Sequence, residues 1–136
     1  MITSSLEDYI EFIYNEIQNG KNLKAIDIAN SFNISRASVS EALIRLSDND
    51  LIIYEGRKGI KITQKGIMEA EKIINKHNTL SIFLTEVLGF DKEKASANAC
   101  KIEHVIDEEV IKTVSEFTEF CIKNNIASQF KEKRLK

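Results

Sequence analysis

The chain has 136 residues, 43% of them apolar and 29% charged, with a net charge of −2. This suits one compact domain or two small lobes sharing a core, with the balance of an ordinary folded, soluble protein. The near-neutral charge does not advertise nucleic acid, although a global average leaves room for a locally basic face.

The Met-Ile-Thr-Ser-Ser start shows no basic segment followed by an apolar stretch, so no secretory signal is expected. No run approaches the roughly 18 apolar residues of a membrane span. Both observations point to the cytoplasm, with no membrane partner. The two cysteines, Cys100 and Cys121, are not a disulfide framework in that compartment. Proline is absent and glycine scarce, which favours long helices punctuated by the glycines.

In chain order, residues 5–19 predict an amphipathic helix, with Leu6, Ile10, Ile13 and Ile17 spaced by three and four. Ser4 and Glu7 offer a capping box, and Gly20 a stop. A short helix is expected over 25–32 and a third over 36–49. Between them Asn33 stands where a tight turn needs a positive φ, and Ser35 is placed to cap the third helix. Ala29 lets two helices approach, while Ile28, Phe32, Ile34, Val39 and Ala42 form a small core. This is the pattern of a helix-turn-helix, though a plain helical hairpin has much of it.

Leu51–Tyr54 and Ile60–Thr63 read as strands around the turn Glu55-Gly56-Arg57-Lys58-Gly59. A hairpin directly after a recognition helix is a wing. From Ser35 to Gly66 there are six basic residues against four acidic ones, so this stretch is slightly positive. The expected DNA surface is Ser35, Arg36, Ala37, Ser38, Ser40 and Glu41 at the start of the third helix. Arg57 and Lys58 at the wing tip are placed for phosphates.

From Gln64 to about Leu88 the chain reads as helical, with Ile67, Ala70, Ile73, Ile74 and Leu80 on the buried side and Gly89 ending it. Asp91 and Asp107 are expected to cap two further helices. The first runs through Ala95, Ala99, Ile102 and Val105, the second through Val110, Ile111, Val114, Phe117, Phe120 and Ile122. So much apolar helical surface suggests a subunit interface. On a continuous helix Cys100, Glu103 and His104 share one face. They read either as metal donors of mixed softness or as a packed cysteine beside surface residues. His77 lies on the long helix. Asp8 and Glu11 are neighbours on the first helix, where helix-dipole stabilisation is the plainer reading.

The fold class expected is mainly α: a winged helix-turn-helix DNA-binding domain over 1–66, an all-helical metal-binding and dimerisation domain over 67–124, and a basic tail over 125–136.

The residues then resemble one known family, the iron-dependent diphtheria toxin repressor and manganese transport regulator family. The resemblance runs from Ser5 to about Val110. It rests on Ser5-Leu6-Glu7-Asp8-Tyr9-Ile10-Glu11-x-Ile13-Tyr14, Ser35-x-x-Ser38-Val39-Ser40, Leu51-Ile52-x-Tyr54 and Ile62-Thr63-x-x-Gly66. It continues in Lys76-His77 followed by Phe83-Leu84, and in Ala99-Cys100-x-Ile102-Glu103-His104-Val105. It implies a homodimeric repressor that binds a palindromic double-stranded operator when loaded with Fe(II) or Mn(II), and it implies Asp8, Glu11, His77, Cys100, Glu103 and His104 as ligands. The soft Cys100 thiolate makes Co(II) the expected surrogate for iron, and no small organic ligand is expected.

Asp8 is similar to the manganese branch and Cys100 to the iron branch, so the site is a hybrid in which iron is slightly favoured. Ser81 and Ser96 stand where iron-type members have ancillary ligands, and Ala37 where many have proline. The extra C-terminal domain of longer members is not expected. Two other readings compete: a winged-helix factor not activated by metal, and a small metallohydrolase. The latter lacks a general-base arrangement such as His-Glu-x-x-His and leaves the winged head unexplained, so no enzyme is expected.

Overall fold

A computed structural model of the chain describes residues 4–135. Its elements are α1 (Ser4–Gln18), α2 (Ala25–Phe32), α3 (Arg36–Asp48), β1 (Ile52–Tyr54), β2 (Ile60–Ile62), α4 (Gln64–Ile82), α5 (Lys92–Ile102), α6 (Glu108–Lys123) and α7 (Ile126–Leu135). The chain divides after Lys72 into two compact units. Both this division and the 66/67 boundary read from the sequence fall inside α4.

In the first unit, α1 buries Leu6, Tyr9, Ile10 and Ile13. The Ser4 cap expected at its start concerns a side chain outside the described residues. The core is completed by Leu23, Ile28, Val39, Leu43, Leu46 and Leu51, all 2% exposed or less. Phe32 is half-buried and joins through its ring, stacked on Tyr9 at 4.9 Å and edge-on to Phe12 at 5.1 Å.

The turn of the helix-turn-helix forms for local reasons. Asn33 takes φ 54° and ψ 50°, the left-handed conformation that ends α2, and Ile34 N–H closes on the Ala29 carbonyl at 3.1 Å. Asparagine tolerates that conformation better than most side chains. Ser35 then caps α3, its hydroxyl accepting from Ser38 N–H.

The wing is a two-stranded antiparallel sheet in which Ile52 faces Ile62, Ile53 faces Lys61 and Tyr54 faces Ile60. Its tip is a 3₁₀ turn over Gly56–Lys58. The Ile60 N–H also bonds the Leu23 carbonyl at 3.0 Å, tying the wing to the loop before α2. Thr63 links the wing to α4. Its hydroxyl donates to the Asp50 carbonyl at 2.6 Å and accepts from Gly66 N–H at 3.0 Å. Gly66 passes so close to the Leu51 carbonyl that a side chain there has no room.

In the second unit, Leu80, Ala99 and Ile111 form one cluster with Ile102 and Ile106 against it. Val87, Cys121 and Ala127 form another with Phe83 and Leu88. After α4 the chain continues as a π-helical segment over Phe83–Val87, with the Thr85 hydroxyl bonded to the Ser81 carbonyl at 2.9 Å. Asp91 caps α5, accepting from Lys94 N–H. Asp107 has the backbone of a cap, but its side chain makes no cap bond, contrary to the expectation. Residues 126–135, read from the sequence as part of a tail, form α7. It follows Asn125 in the left-handed region, and Arg134 donates to the Leu88 carbonyl at 2.6 Å with its guanidinium over the Phe90 ring.

Candidate metal centre and DNA-reading surface

The long-range cluster lies in the second unit. His77, on α4, meets Cys100, on α5, and Glu103, the residue that ends α5, with one donor atom from each inside 4.8 Å of the others. His77 Nδ1 is 3.2 Å from Glu103 Oε1 and 3.8 Å from Cys100 Sγ. On the other side of the ring, Nε2 lies 3.4 Å from the Ser96 hydroxyl. Glu103 is 2% exposed, and its Oε2 is buried with no hydrogen-bond partner among the described residues. Burial pushes the Glu103 carboxyl up from its ordinary range. The hydrogen bond and charge of His77, the charge of His104 and a hydrogen bond with Cys100 pull it back.

The donor set therefore fits a divalent first-row ion. Bond lengths of about 2.0–2.3 Å place two donors on one ion about 3–4 Å apart, close to what His77 shows with its two partners. A buried carboxylate oxygen with nothing to bind is costly in the metal-free state, and a cation relieves that cost.

The group found among the described residues is His77, Cys100 and Glu103, and His104 follows on the turn that residues 103–106 form after α5. His104 acts on Glu103 through its charge. Asp8 and Glu11 lie on α1 in the first unit, Asp8 exposed and Glu11 half-buried.

Sequence reasoning missed what two neighbours do. Lys76 donates to the Ile106 carbonyl at 2.8 Å, and Ser96 borders the His77 ring. Neither contact leaves a signature in local spacing, since each partner is distant along the chain.

In the first unit, Ser35, Arg36, Ala37, Ser38 and Glu41 at the start of α3 are exposed, whereas Ser40, expected to be exposed with them, is half-buried. The Ser35 and Ser38 hydroxyls bond each other at 3.0 Å, and Glu41 accepts from Arg45 at 3.3 Å. Arg57 and Lys58 are exposed on the wing turn.

Comparison with known proteins decides the family. Residues 1–60 match the N-terminal DNA-binding domain of iron-dependent repressors, and residues 63–125 match their metal-binding and dimerisation domain. The chain belongs to the iron-dependent repressor family. It is 40% identical over 119 residues to an uncharacterised helix-turn-helix transcriptional regulator of Methanocaldococcus jannaschii, covering 87% of this chain and 95% of that protein.

Among solved structures, the T. acidophilum IdeR is 30% identical, with a TM-score of 0.67 over 81% of this chain and 52% of that one. The manganese regulator SloR is 24% identical, with a TM-score of 0.74 over 85% and 54%. A hypothetical protein of Sulfolobus solfataricus is 24% identical, with a TM-score of 0.71 over 85% and 88%. The chain thus spans about half the length of the first two.

This member of the iron-dependent repressor family is a metal-dependent transcriptional regulator, not an enzyme, built as a winged helix followed by a helical domain. DNA and a second subunit are its partners, and a divalent metal its cofactor. No described helix is long and apolar enough to cross a membrane.

Proposed function

We propose that this regulator binds a palindromic operator as a homodimer when loaded with Fe(II) or Mn(II), and so represses genes of metal homeostasis in the cytoplasm. The observation that carries the reading is the buried, unpartnered Oε2 of Glu103 beside His77 and Cys100. Within the second unit the ligands are His77, Cys100, Glu103 and His104. Asp8 and Glu11, on α1, are counted as ligands by the family resemblance of their positions in the sequence alone. When bound, a divalent cation supplies positive charge that offsets these anionic donors.

The residues divide the remaining work. Ser96, beside Nε2, can accept the ring proton there, so that a deprotonated Nδ1 would face Cys100 and Glu103 when an ion takes the place of the His77–Glu103 hydrogen bond. The thiolate of Cys100 is a softer donor than a carboxylate, which favours Fe(II), and Co(II) as its surrogate, over Mn(II). Ala37 and Ser38 read bases, while Arg36, Arg57 and Lys58 meet phosphates. Ser35, Ser40 and Glu41 flank that surface. The exposed apolar residues of α6, Val110, Phe117 and Phe120, fit the interface of the homodimer. If metal binds only the DNA-competent state, a concentration 100 times Kd favours that state by about 2.7 kcal/mol, roughly a hundredfold in operator affinity.

The test is an anaerobic titration of operator affinity with Mn(II), Fe(II), Co(II) and Zn(II), on the wild type and on Glu103→Ala and His104→Ala. Both variants should remain folded dimers that no longer respond. Full metal activation in either removes that residue from the site, and a wild type indifferent to every metal overturns the reading.

A further inference from the structure

Residues 103–106 carry Glu103 and His104 and join α5 to α6. The turn is closed from within by Val105 N–H to the Ile102 carbonyl at 3.0 Å and Ile106 N–H to the same carbonyl at 3.1 Å. Two consecutive residues of α4 grip it from outside. His77 holds its first residue, through Nδ1 and Glu103 Oε1 at 3.2 Å. Lys76 holds its last, its ammonium donating to the Ile106 carbonyl at 2.8 Å. Successive residues on a helix point about 100° apart, so one helix can clasp both ends of a four-residue segment. Lys76 is half-buried, and a lysine whose stem is covered presents its charge in a restricted set of positions.

We propose that Lys76 is a positioning residue of the metal site. By fixing the far end of the 103–106 turn to α4, it sets where Glu103 and His104 stand relative to His77. The inference rests on the metal-site reading above. Partners that hydrogen-bond a ligand directly change metal affinity by about 10–100-fold when removed, and Lys76, which holds the far end of the ligand-bearing turn, is expected at the lower end of that range. A lysine that serves only as a stabilising tie would lower thermal stability without changing the coordination of a bound ion.

The experiment uses the full chain, reduced and titrated with Co(II) against a competing chelator. The variants are Lys76→Met, which keeps the stem and loses the donor, Lys76→Arg, which keeps a cationic donor, and Glu103→Ala. Lys76→Met should bind Co(II) at least about tenfold more weakly, with shifted visible absorption bands and faster metal-free amide exchange at Val105 and Ile106. Lys76→Arg should restore affinity and bands. Unchanged affinity and bands in Lys76→Met overturn the proposal, as does a loss that Lys76→Arg does not recover. If Lys76→Met fails to fold, Lys76→Gln, which keeps a neutral donor on a shorter stem, takes its place: weaker Co(II) binding with shifted bands supports the role, and unchanged affinity and bands refute it. Glu103→Ala separates the two levels, since wild-type Co(II) binding there refutes the metal site itself.

Discussion

His77 and Glu103 stand 26 residues apart in sequence, yet Nδ1 of one lies 3.2 Å from Oε1 of the other. The contact joins the middle of α4 to the end of α5 and leaves the second Glu103 oxygen buried without a partner.

That arrangement makes the metal-free protein sensitive to pH. Burial pushes the Glu103 carboxyl above its ordinary value of 4.5, so the folded state holds this proton more tightly than the unfolded state. The stabilisation is full below the ordinary value and is lost as pH rises through the raised one. Urea midpoints of the metal-free protein should fall over that window. Glu103→Gln should flatten the fall and leave the variant more stable than the wild type above it. Metal affinity should run the opposite way and rise with pH, because the ion needs the carboxylate. A Glu103→Gln curve parallel to the wild type would contradict this account.

Cys100 gives a spectroscopic prediction. In a reduced, cobalt-saturated protein, thiolate ligation should produce a strong near-ultraviolet charge-transfer band that Cys100→Ser removes. Cys100→Glu should raise the Mn(II) response relative to Fe(II), since it replaces a soft donor by a hard one. Without that band the iron preference loses its basis.

On the DNA side, Arg57→Ala and Lys58→Ala should each weaken binding to every sequence and flatten the salt dependence by about one unit. Substitutions at Ala37 or Ser38 should instead change which operator is preferred, by about 1–3 kcal/mol per base pair. Binding isotherms at several salt concentrations separate the two effects. Wing variants that change sequence choice at constant salt slope would reverse the assignment.

The apolar face of α6 predicts the oligomeric state. Phe120 is 54% exposed and Val110 48%. If a second copy covers them, Phe120→Glu forfeits about 1.5–3 kcal/mol of burial, so its dimer dissociation constant should rise at least tenfold by sedimentation equilibrium. A Phe120→Glu dimer as tight as the wild type would place the interface elsewhere.

Gly66 offers a test of packing alone. In a helix interior, alanine is ordinarily better than glycine by about 1 kcal/mol. Here the added methyl would run into the Leu51 carbonyl, a backbone atom that cannot swing aside. Gly66→Ala should therefore destabilise the protein by at least about 1–3 kcal/mol, measured by urea denaturation. Neutral or improved stability would show that the wing and α4 have slack.

The head was readable because its determinants are local. Asn33 and Ser35 fix the turn by their own conformation and hydrogen bonding, and the wing follows from alternation around two glycines. The candidate metal cluster was only partly readable. Cys100 and Glu103 meet as helical spacing predicts. That His77 joins the thiol and carboxylate is decided by the packing of α4 against α5, which no local period encodes. The family resemblance supplied His77 as a ligand, not its contacts. The last helix was missed because α7 buries little beyond Ala127, so its sequence carries almost no apolar rhythm.

The two thiols of the chain differ in reach: Cys121 is sealed in the core, whereas Cys100 is open to solvent. An oxidant arriving from outside meets Cys100 and spares Cys121. With Cys100 a ligand, as proposed above, chemical damage of this kind removes a donor and leaves the scaffold standing. A preparation handled in air would then look intact by every measure of folding and still be deaf to its ion.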